Sequence, residues 1–86
     1  MGHLDGKIAL VTGASAGIGE QTARILVDTG ARVICAARRL PQLESLAAEL
    51  GNAAIPLELD VTDEGSVEKL LDRLPVEWRE IDILIN

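Results

Sequence analysis

The length, composition and charge of the chain exclude several classes of protein. Its 86 residues make one domain at most, and 48% hydrophobic with 26% charged residues is the composition of a folded protein, not a disordered one. A net charge of −6 argues against nucleic acid as a partner, because binding to phosphates needs a basic surface.

The cysteine content and the hydropathy pattern bear on the compartment. The single cysteine, Cys35, cannot form a disulfide within the chain, which fits a reducing compartment. The apolar run at residues 8–11 is too short for a signal peptide, and nothing reaches the length of a membrane span. These features predict a cytoplasmic protein without membrane contact.

The first predicted unit is a buried strand followed by a helix. Residues 7–12 have an apolar centre bounded by glycine, which is typical of a parallel strand covered on both faces. A helix is predicted over residues 17–29, with Gly30 just past its end. The apolar periodicity of this helix is carried by Ile18, Thr22, Ile25 and Leu26.

Three glycines, Gly13, Gly17 and Gly19, lie in the turn between this strand and helix. Such a turn lets backbone N–H groups approach an anion, and the positive end of the helix dipole suits a pyrophosphate. The spacing is G-x-x-x-G-x-G, which differs from the common dinucleotide fingerprint G-x-G-x-x-G. A tight turn with close helix–sheet packing is the alternative explanation.

A second strand and helix follow. The strand at residues 32–37 is apolar on both faces, and Cys35 is predicted to be a small core residue. The second helix begins at Pro41 and ends at Gly51. Its amphipathic stripe is Leu43, Leu46, Ala47 and Leu50.

The third strand, at residues 54–59, contains Pro56. Proline lacks the ladder donor, so this strand is expected at a sheet edge. A third helix, capped by Thr62 or Asp63, follows it and stops at Pro75. Its predicted stripe is Val67, Leu70, Leu71 and Leu74.

The last predicted strand covers residues 81–86, and Trp78 is expected to anchor a short turn before it. The whole pattern predicts an α/β fold, a Rossmann-like doubly wound parallel sheet truncated to βαβαβαβ, with strand order 3-2-1-4.

The motif T-G-A-S-A-G-I-G at residues 12–19 resembles the cofactor-binding motif T-G-x-x-x-G-x-G of the short-chain dehydrogenase/reductase family. The similarity continues through residues 35–39, 59–62 and 81–86, in the family's order and spacing. Within the family, residues 74–78 look most similar to the NADP-dependent serine and 3-hydroxy acid dehydrogenases. The resemblance implies that residues 1–86 are a partial NADP-binding Rossmann domain.

The resemblance assigns the glycine turn to the cofactor. The implied binding residues there are Gly13, Ser15, Ala16, Gly17, Ile18 and Gly19. In residues 59–62, Asp60 is similar to the family's acid that accepts a hydrogen bond from the exocyclic amine of the adenine. Val61 would lie near the adenine ring. The alternative is that Asp60 bonds only the neighbouring turn. Asn86 resembles the first Asn of the family's N-N-A-G motif, which borders the nicotinamide ribose.

The segment after the second strand favours NADP over NAD. An acidic residue at its end would bind the ribose hydroxyls of NAD, but Ala37 stands there and places no carboxylate beside a phosphate. Arg38 offers a planar charged fork to the 2′-phosphate, and Arg39 is a second candidate. Alternatively, both arginines are solvated and pair with Glu residues of the second helix.

The family's catalytic motif, Y-x-x-x-K with an upstream Ser, has no counterpart in this chain, which contains no Tyr. The predicted function is therefore the NADP(H)-binding part of an oxidoreductase that transfers a hydride between NADPH and a carbonyl or alcohol. Its catalytic residues would lie outside this chain, and no metal site is expected. The alternatives are a stand-alone or designed nucleotide-binding fragment without catalysis, and a structural interaction domain.

Self-association is expected through the fourth strand. In the predicted order this strand has a neighbour on one side, and an unpaired apolar edge invites another chain. The edge comprises Ile81, Ile83, Leu84 and Ile85. We therefore expect a dimer, a larger assembly or a complementing chain.

Overall fold

Four parallel strands form one sheet, in the order β3-β2-β1-β4, within the residues that the computed structural model describes, 3–15, 17–59 and 69–85. The strands are β1 (Ile8–Thr12), β2 (Arg32–Ala37), β3 (Ala54–Glu58) and β4 (Ile83–Ile85). The helices are α1 (Gly17–Asp28), α2 (Leu40–Leu50) and α3 (Leu70–Arg73), with 3-10 turns at Gly51–Ala53 and Val76–Trp78. This arrangement confirms the predicted Rossmann-like fold class and its strand order.

The boundaries of the strands and of the first two helices agree with the predicted ones to within one or two residues. β1 and β3 are each one residue shorter than predicted, and α1 ends one residue earlier. α2 begins at Leu40, which places Pro41 in the first turn. Residues there donate no intrahelical hydrogen bond, so the missing N–H of proline costs nothing. Pro56 lies on β3, the edge strand, as its missing donor requires.

The core lies on both faces of the sheet, because alternate residues of each strand point in opposite directions. One cluster joins Val11, Val33 and Cys35 to Ala23 of α1 and Leu43 of α2. Cys35 is fully buried there, and burial raises the pKa of its thiol to about 11, which suits a core residue. The opposite cluster comprises Ile8, Leu10, Ile34, Ala36, Leu57, Leu59, Leu70, Leu74 and Trp78.

Trp78 anchors the turn before β4, as the sequence predicts. Its ring is buried, and the guanidinium carbon of Arg32 lies 4.1 Å from the ring centroid. The same guanidinium donates a hydrogen bond to the carbonyl of Glu77, 3.1 Å away. A cation–π contact and a hydrogen bond therefore join the start of β2 to this turn.

α1 buries only part of the apolar set that carries its periodicity. Ile18 is 86% exposed and Ile25 is 62% exposed, whereas Ala23 is fully buried. The sheet-facing side continues with Leu26 and Val27, which pack partly buried against the first cluster. The sheet-facing side thus combines Ala23 with Leu26 and Val27, and Ile18 and Ile25 point away from the sheet.

Leu70 of α3 and Leu74, which follows the last residue of α3, are buried, but Leu71 is 47% exposed and does not belong to the stripe predicted for it. One helical turn presents residues four apart to the core, and the residue next to Leu70 points about 100° away. The predicted caps Thr62 and Asp63 and the stripe residue Val67 lie outside the described residues.

A reciprocal pair of hydrogen bonds fixes the register between β1 and β4. The N–H of Ile8 donates to a carboxylate oxygen of Asp82 at 2.9 Å, and the N–H of Asp82 donates to the carbonyl of Ile8 at 2.8 Å. At the other end, the hydroxyl of Thr12 donates to the carbonyl of Ile85 at 3.3 Å. The carboxyl ends of the strands therefore lie along one edge of the sheet.

The described residues contain no helix that is both long and apolar enough to cross a membrane.

Candidate functional site

The glycine turn follows β1 at the carboxyl edge of the sheet. Gly13 and Gly17 have φ angles of 68° and 61°, in the left-handed region that residues with a Cβ rarely adopt. The N–H of Ala14 donates to the carbonyl of Ala36 at 3.0 Å, which ties the turn to the end of β2. The turn therefore lies beside the segment that begins at Ala37.

Gly19 serves a different purpose from the other two glycines. A Cβ on Gly19 would overlap the carbonyl oxygen of Gly13 and lie 3.2 Å from the Cα of Ala14. The first turn of α1 therefore rests directly on the backbone of the glycine turn. Since the N–H groups in the first turn of a helix have no intrahelical acceptor, this packing directs free donors to the end of β1.

The segment after β2 carries two cations that pair with no carboxylate in the described part of the chain. Ala37 is buried, whereas Arg38 and Arg39 are exposed and form no ion pair with any described residue. Arg39 occupies the N-cap position of α2 without capping it, and the first turn of this helix has no acidic residue. Two positive charges thus lie at the positive end of a helix dipole, an arrangement that favours an anion there.

The carboxylates of α2 do not neutralise these arginines, in contrast to the alternative considered from the sequence. Glu49 of α2 instead bonds Arg24 of α1, which also bonds Glu20 at 2.9 Å. The hydrogen bonds that Arg24 donates to these carboxylates, chiefly the one to Glu20, raise the pKa of Arg24. Arg24 is therefore already paired with carboxylates, whereas Arg38 and Arg39 pair with none among residues 3–15, 17–59 and 69–85.

A polar groove of about 220 Å³ runs between α1 and α2 and reaches the glycine turn at Ser15. The Arg24 ion pairs lie along it, with polar side chains of α2 opposite. The spacing of Glu20 and Arg24 within one helix could have indicated the first pair from the sequence. Nothing local indicates the second pair, because its partners are 25 residues apart. The lining is Ser15, Glu20, Arg24, Gln42, Ser45, Leu46 and Glu49.

The third predicted segment follows β3. The N–H of Leu59 donates to the carbonyl of Ala37 at 2.9 Å, so the ends of β2 and β3 are joined at this edge. The predicted site residues that lie outside the described ones are Ala16, Asp60, Val61 and Asn86. The structure thus brings together the glycine turn, Ala37 with its two arginines, and the end of β3.

The chain belongs to the short-chain dehydrogenase family, because the sequence model of that family matches residues 7–86. It is 51% identical over 77 residues to a serine 3-dehydrogenase of Agrobacterium fabrum, covering 90% of this chain and 31% of the relative. It is 44% identical over 79 residues to an NADP-dependent 3-hydroxy acid dehydrogenase of Salmonella typhi, covering 92% and 32%.

Two solved structures share this fold. One is a closed form of serine dehydrogenase complexed with NADP+, with a TM-score of 0.85 and 44% identity, covering 90% of this chain and 31% of the other. The second is a 3-ketoacyl-(acyl-carrier-protein) reductase of Brucella melitensis complexed with NADH, with a TM-score of 0.86, 34% identity and coverage of 94% and 34%. The chain spans about a third of the length of these proteins. The resemblance to the family and the Rossmann-like fold are thereby confirmed.

Proposed function

We propose that this chain binds NADPH, as the cofactor-binding part of an oxidoreductase that transfers a hydride between NADPH and a carbonyl or alcohol. The observation that carries the proposal is the pair Arg38 and Arg39, exposed and free of described carboxylates beside the glycine turn. Names of several relatives, including the 3-hydroxy acid dehydrogenase, specify NADP, which supports the same cofactor here.

The described residues fit such a cofactor by their chemistry. Gly19 leaves room for the close contact between α1 and the glycine turn, where backbone donors suit a pyrophosphate. Arg38 supplies a permanent charge and a planar fork for the 2′-phosphate, and the small Ala37 adds no negative charge. We also propose that Ile18, which is 86% exposed at the start of α1, contacts the cofactor.

The remaining site residues are proposed from the family resemblance alone. They are Ser15 in the turn, Ala16 after it, Asp60 and Val61 at the adenine, and Asn86 at the nicotinamide ribose. NADPH, when bound, supplies the hydride. The proton of the alcohol must be handled by residues outside this chain, because its 86 residues include no Tyr.

A second candidate function is a nucleotide-binding fragment without catalysis. The absence of Tyr favours it, since the family's proton transfer depends on that residue.

The names of relatives suggest serine or a 3-hydroxy acid as the substrate class of a longer protein. A cytoplasmic location stays a prediction from the single cysteine.

The test of the cofactor proposal is calorimetric titration of the chain with NADPH and with NADH. A charge-assisted contact to the 2′-phosphate contributes about 1.5–3 kcal/mol, so we expect NADPH to bind about ten- to a hundredfold more tightly. Equal affinities for the two cofactors would contradict the assignment of Arg38 to the phosphate.

We further propose that the chain associates through β4. Among the described strands, β4 pairs with β1 only, and its Leu84 side chain is 60% exposed. An unpaired apolar edge of this kind binds a strand of another chain. The occupant is a second copy of this chain or a chain that completes the sheet.

Light scattering at micromolar concentration is expected to give a mass above that of one chain. Leu84→Lys should shift the protein toward the monomer, because a charge on an edge strand opposes pairing. Leu71→Lys is the matched control, since Leu71 is also exposed but lies on α3, away from this edge. A stable monomer of the unmodified chain would contradict the proposal.

A further inference from the structure

The peptide group between Glu58 and Leu59, at the carboxyl end of β3, is hydrogen-bonded on both sides. Its N–H donates to the carbonyl of Ala37 at 2.9 Å. Its carbonyl accepts a hydrogen bond from the guanidinium of Arg73, through Nη2. Because the peptide is trans, its N–H and C=O point in opposite directions, toward β2 and toward the open edge of the sheet.

Arg73 thus supplies a hydrogen-bond donor to the outer side of β3. β3 is the edge strand, so no described strand lies beyond it to bond its outer carbonyls. Arg73, the last residue of α3, donates a hydrogen bond from its charged guanidinium to the carbonyl of Glu58, the last residue of β3. A hydrogen bond from a charged donor is stronger than a neutral one, and it polarises the peptide that it binds.

The same hydrogen bonds reach the peptide group that precedes Arg38. The carbonyl of Ala37 belongs to the peptide that joins Ala37 to Arg38, and Ala37 is opposite Glu58 in the strand register. Two consecutive hydrogen bonds therefore connect the guanidinium of Arg73 to the backbone from which the Arg38 side chain projects. Arg38 itself has no described side-chain partner that would hold it in place.

We propose that Arg73 is a positioning residue for the anion site at Arg38, acting through the Glu58–Leu59 peptide. The inference rests on the proposed binding of NADPH and adds to it a determinant of 2′-phosphate affinity. Arg73 lies on a different helix from the glycine turn, and no sequence motif singles it out. Its effect falls on the 2′-phosphate and leaves the rest of the cofactor unaffected.

The test compares four proteins: the unmodified chain, Arg73→Met, Arg73→Lys and Lys69→Met. Methionine keeps an unbranched side chain without a donor, and lysine restores one charged donor. Lys69→Met is the matched control, because Lys69 precedes α3, is exposed and has the same charge, without a hydrogen bond to β3. Affinities for NADPH and NADH are measured by calorimetry, and folding by circular dichroism.

We expect Arg73→Met to lower the NADPH-to-NADH affinity ratio by about three- to tenfold, while the affinity for NADH changes by less than about twofold. Arg73→Lys should recover most of the ratio, and Lys69→Met should leave it unchanged. If the role of Arg73 were purely structural, Arg73→Met would instead lower the affinities for NADPH and NADH by the same factor. That result would overturn the inference. An unchanged ratio in Arg73→Met would also overturn it.

Two further outcomes are distinguishable from these. If the unmodified chain binds neither cofactor, the proposed function fails, and the inference fails with it. If Arg73→Met does not fold, the inference is tested by amide hydrogen exchange in Arg73→Lys. This variant still weakens the contact, because a single ammonium donor cannot reproduce the guanidinium contact in full. Faster exchange of the Leu59 N–H with unchanged exchange in β1 would support the inference, and uniform protection would contradict it.

Discussion

Replacing Ala37 by Asp and Arg38 by Ser is expected to reverse the cofactor preference of the chain, from NADPH to NADH. The double variant Ala37→Asp, Arg38→Ser removes the cation that is free to bind a 2′-phosphate. It also introduces a carboxylate that accepts hydrogen bonds from the ribose hydroxyls of NADH. The carboxylate repels the 2′-phosphate, and such like-charge contacts are costly in a binding site.

The expected size of this reversal follows from the two contributions. Loss of a charge-assisted contact accounts for about 1.5–3 kcal/mol against NADPH, and the new contacts to the ribose favour NADH by a similar amount. The affinity ratio is therefore expected to change by about a hundredfold to ten-thousandfold. Calorimetric titration of the unmodified and double-variant proteins with both cofactors measures it.

The control for this experiment is Lys7→Glu. It changes the net charge by the same two units, but Lys7 lies just before β1, at the opposite edge of the sheet from Arg38. A change of preference in the control would mean that long-range charge, and not contact, sets the selectivity. A double variant that folds and still prefers NADPH would contradict the role given to Arg38.

Gly19→Ala is expected to destabilise the protein, although alanine is ordinarily the better residue in a helix. The added Cβ would overlap the carbonyl oxygen of Gly13, and its other near neighbours are backbone atoms that cannot rotate away. Overpacking of this kind costs about 1–3 kcal/mol of unfolding free energy. For a domain of this size, we expect the unfolding temperature to fall by about 5–20 °C.

Thermal unfolding followed by Trp78 fluorescence measures this effect, and with no Tyr present the signal comes from that one residue. Gln21→Ala is the matched control, since Gln21 is exposed on the same helix and an alanine there meets no such backbone. The control should be neutral or slightly stabilising. An equal or higher unfolding temperature in Gly19→Ala would show that α1 does not rest on the glycine turn as described.

The sheet could be predicted from the sequence because local signals determine it. Apolar runs between glycines identify buried strands, and Pro56 identifies the edge strand through its missing N–H. The glycine turn and the exposed arginines after β2 were likewise predictable, since they follow from residues next to one another. These features position most of the candidate site.

Sequence reasoning missed the contacts that depend on how one segment packs against another. In α1, Gly19 lies against the backbone of Gly13 and Ala23 is buried, whereas Ile18 is 86% exposed. Periodicity alone does not distinguish Ile18 and Ile25, which are exposed, from Leu26, which packs against the core. The bond from Arg73 to Glu58 joins two segments 15 residues apart and has no local pattern that announces it.

Recognition of a 2′-phosphate at this edge of the sheet can be measured with the smallest pair of ligands that differ in that group. These are adenosine 2′,5′-bisphosphate and adenosine 5′-monophosphate, titrated into the unmodified chain by calorimetry at one fixed salt concentration. The bisphosphate is predicted to bind about ten- to a hundredfold more tightly, through the free charge of Arg38. Equal binding of the two nucleotides would contradict the account.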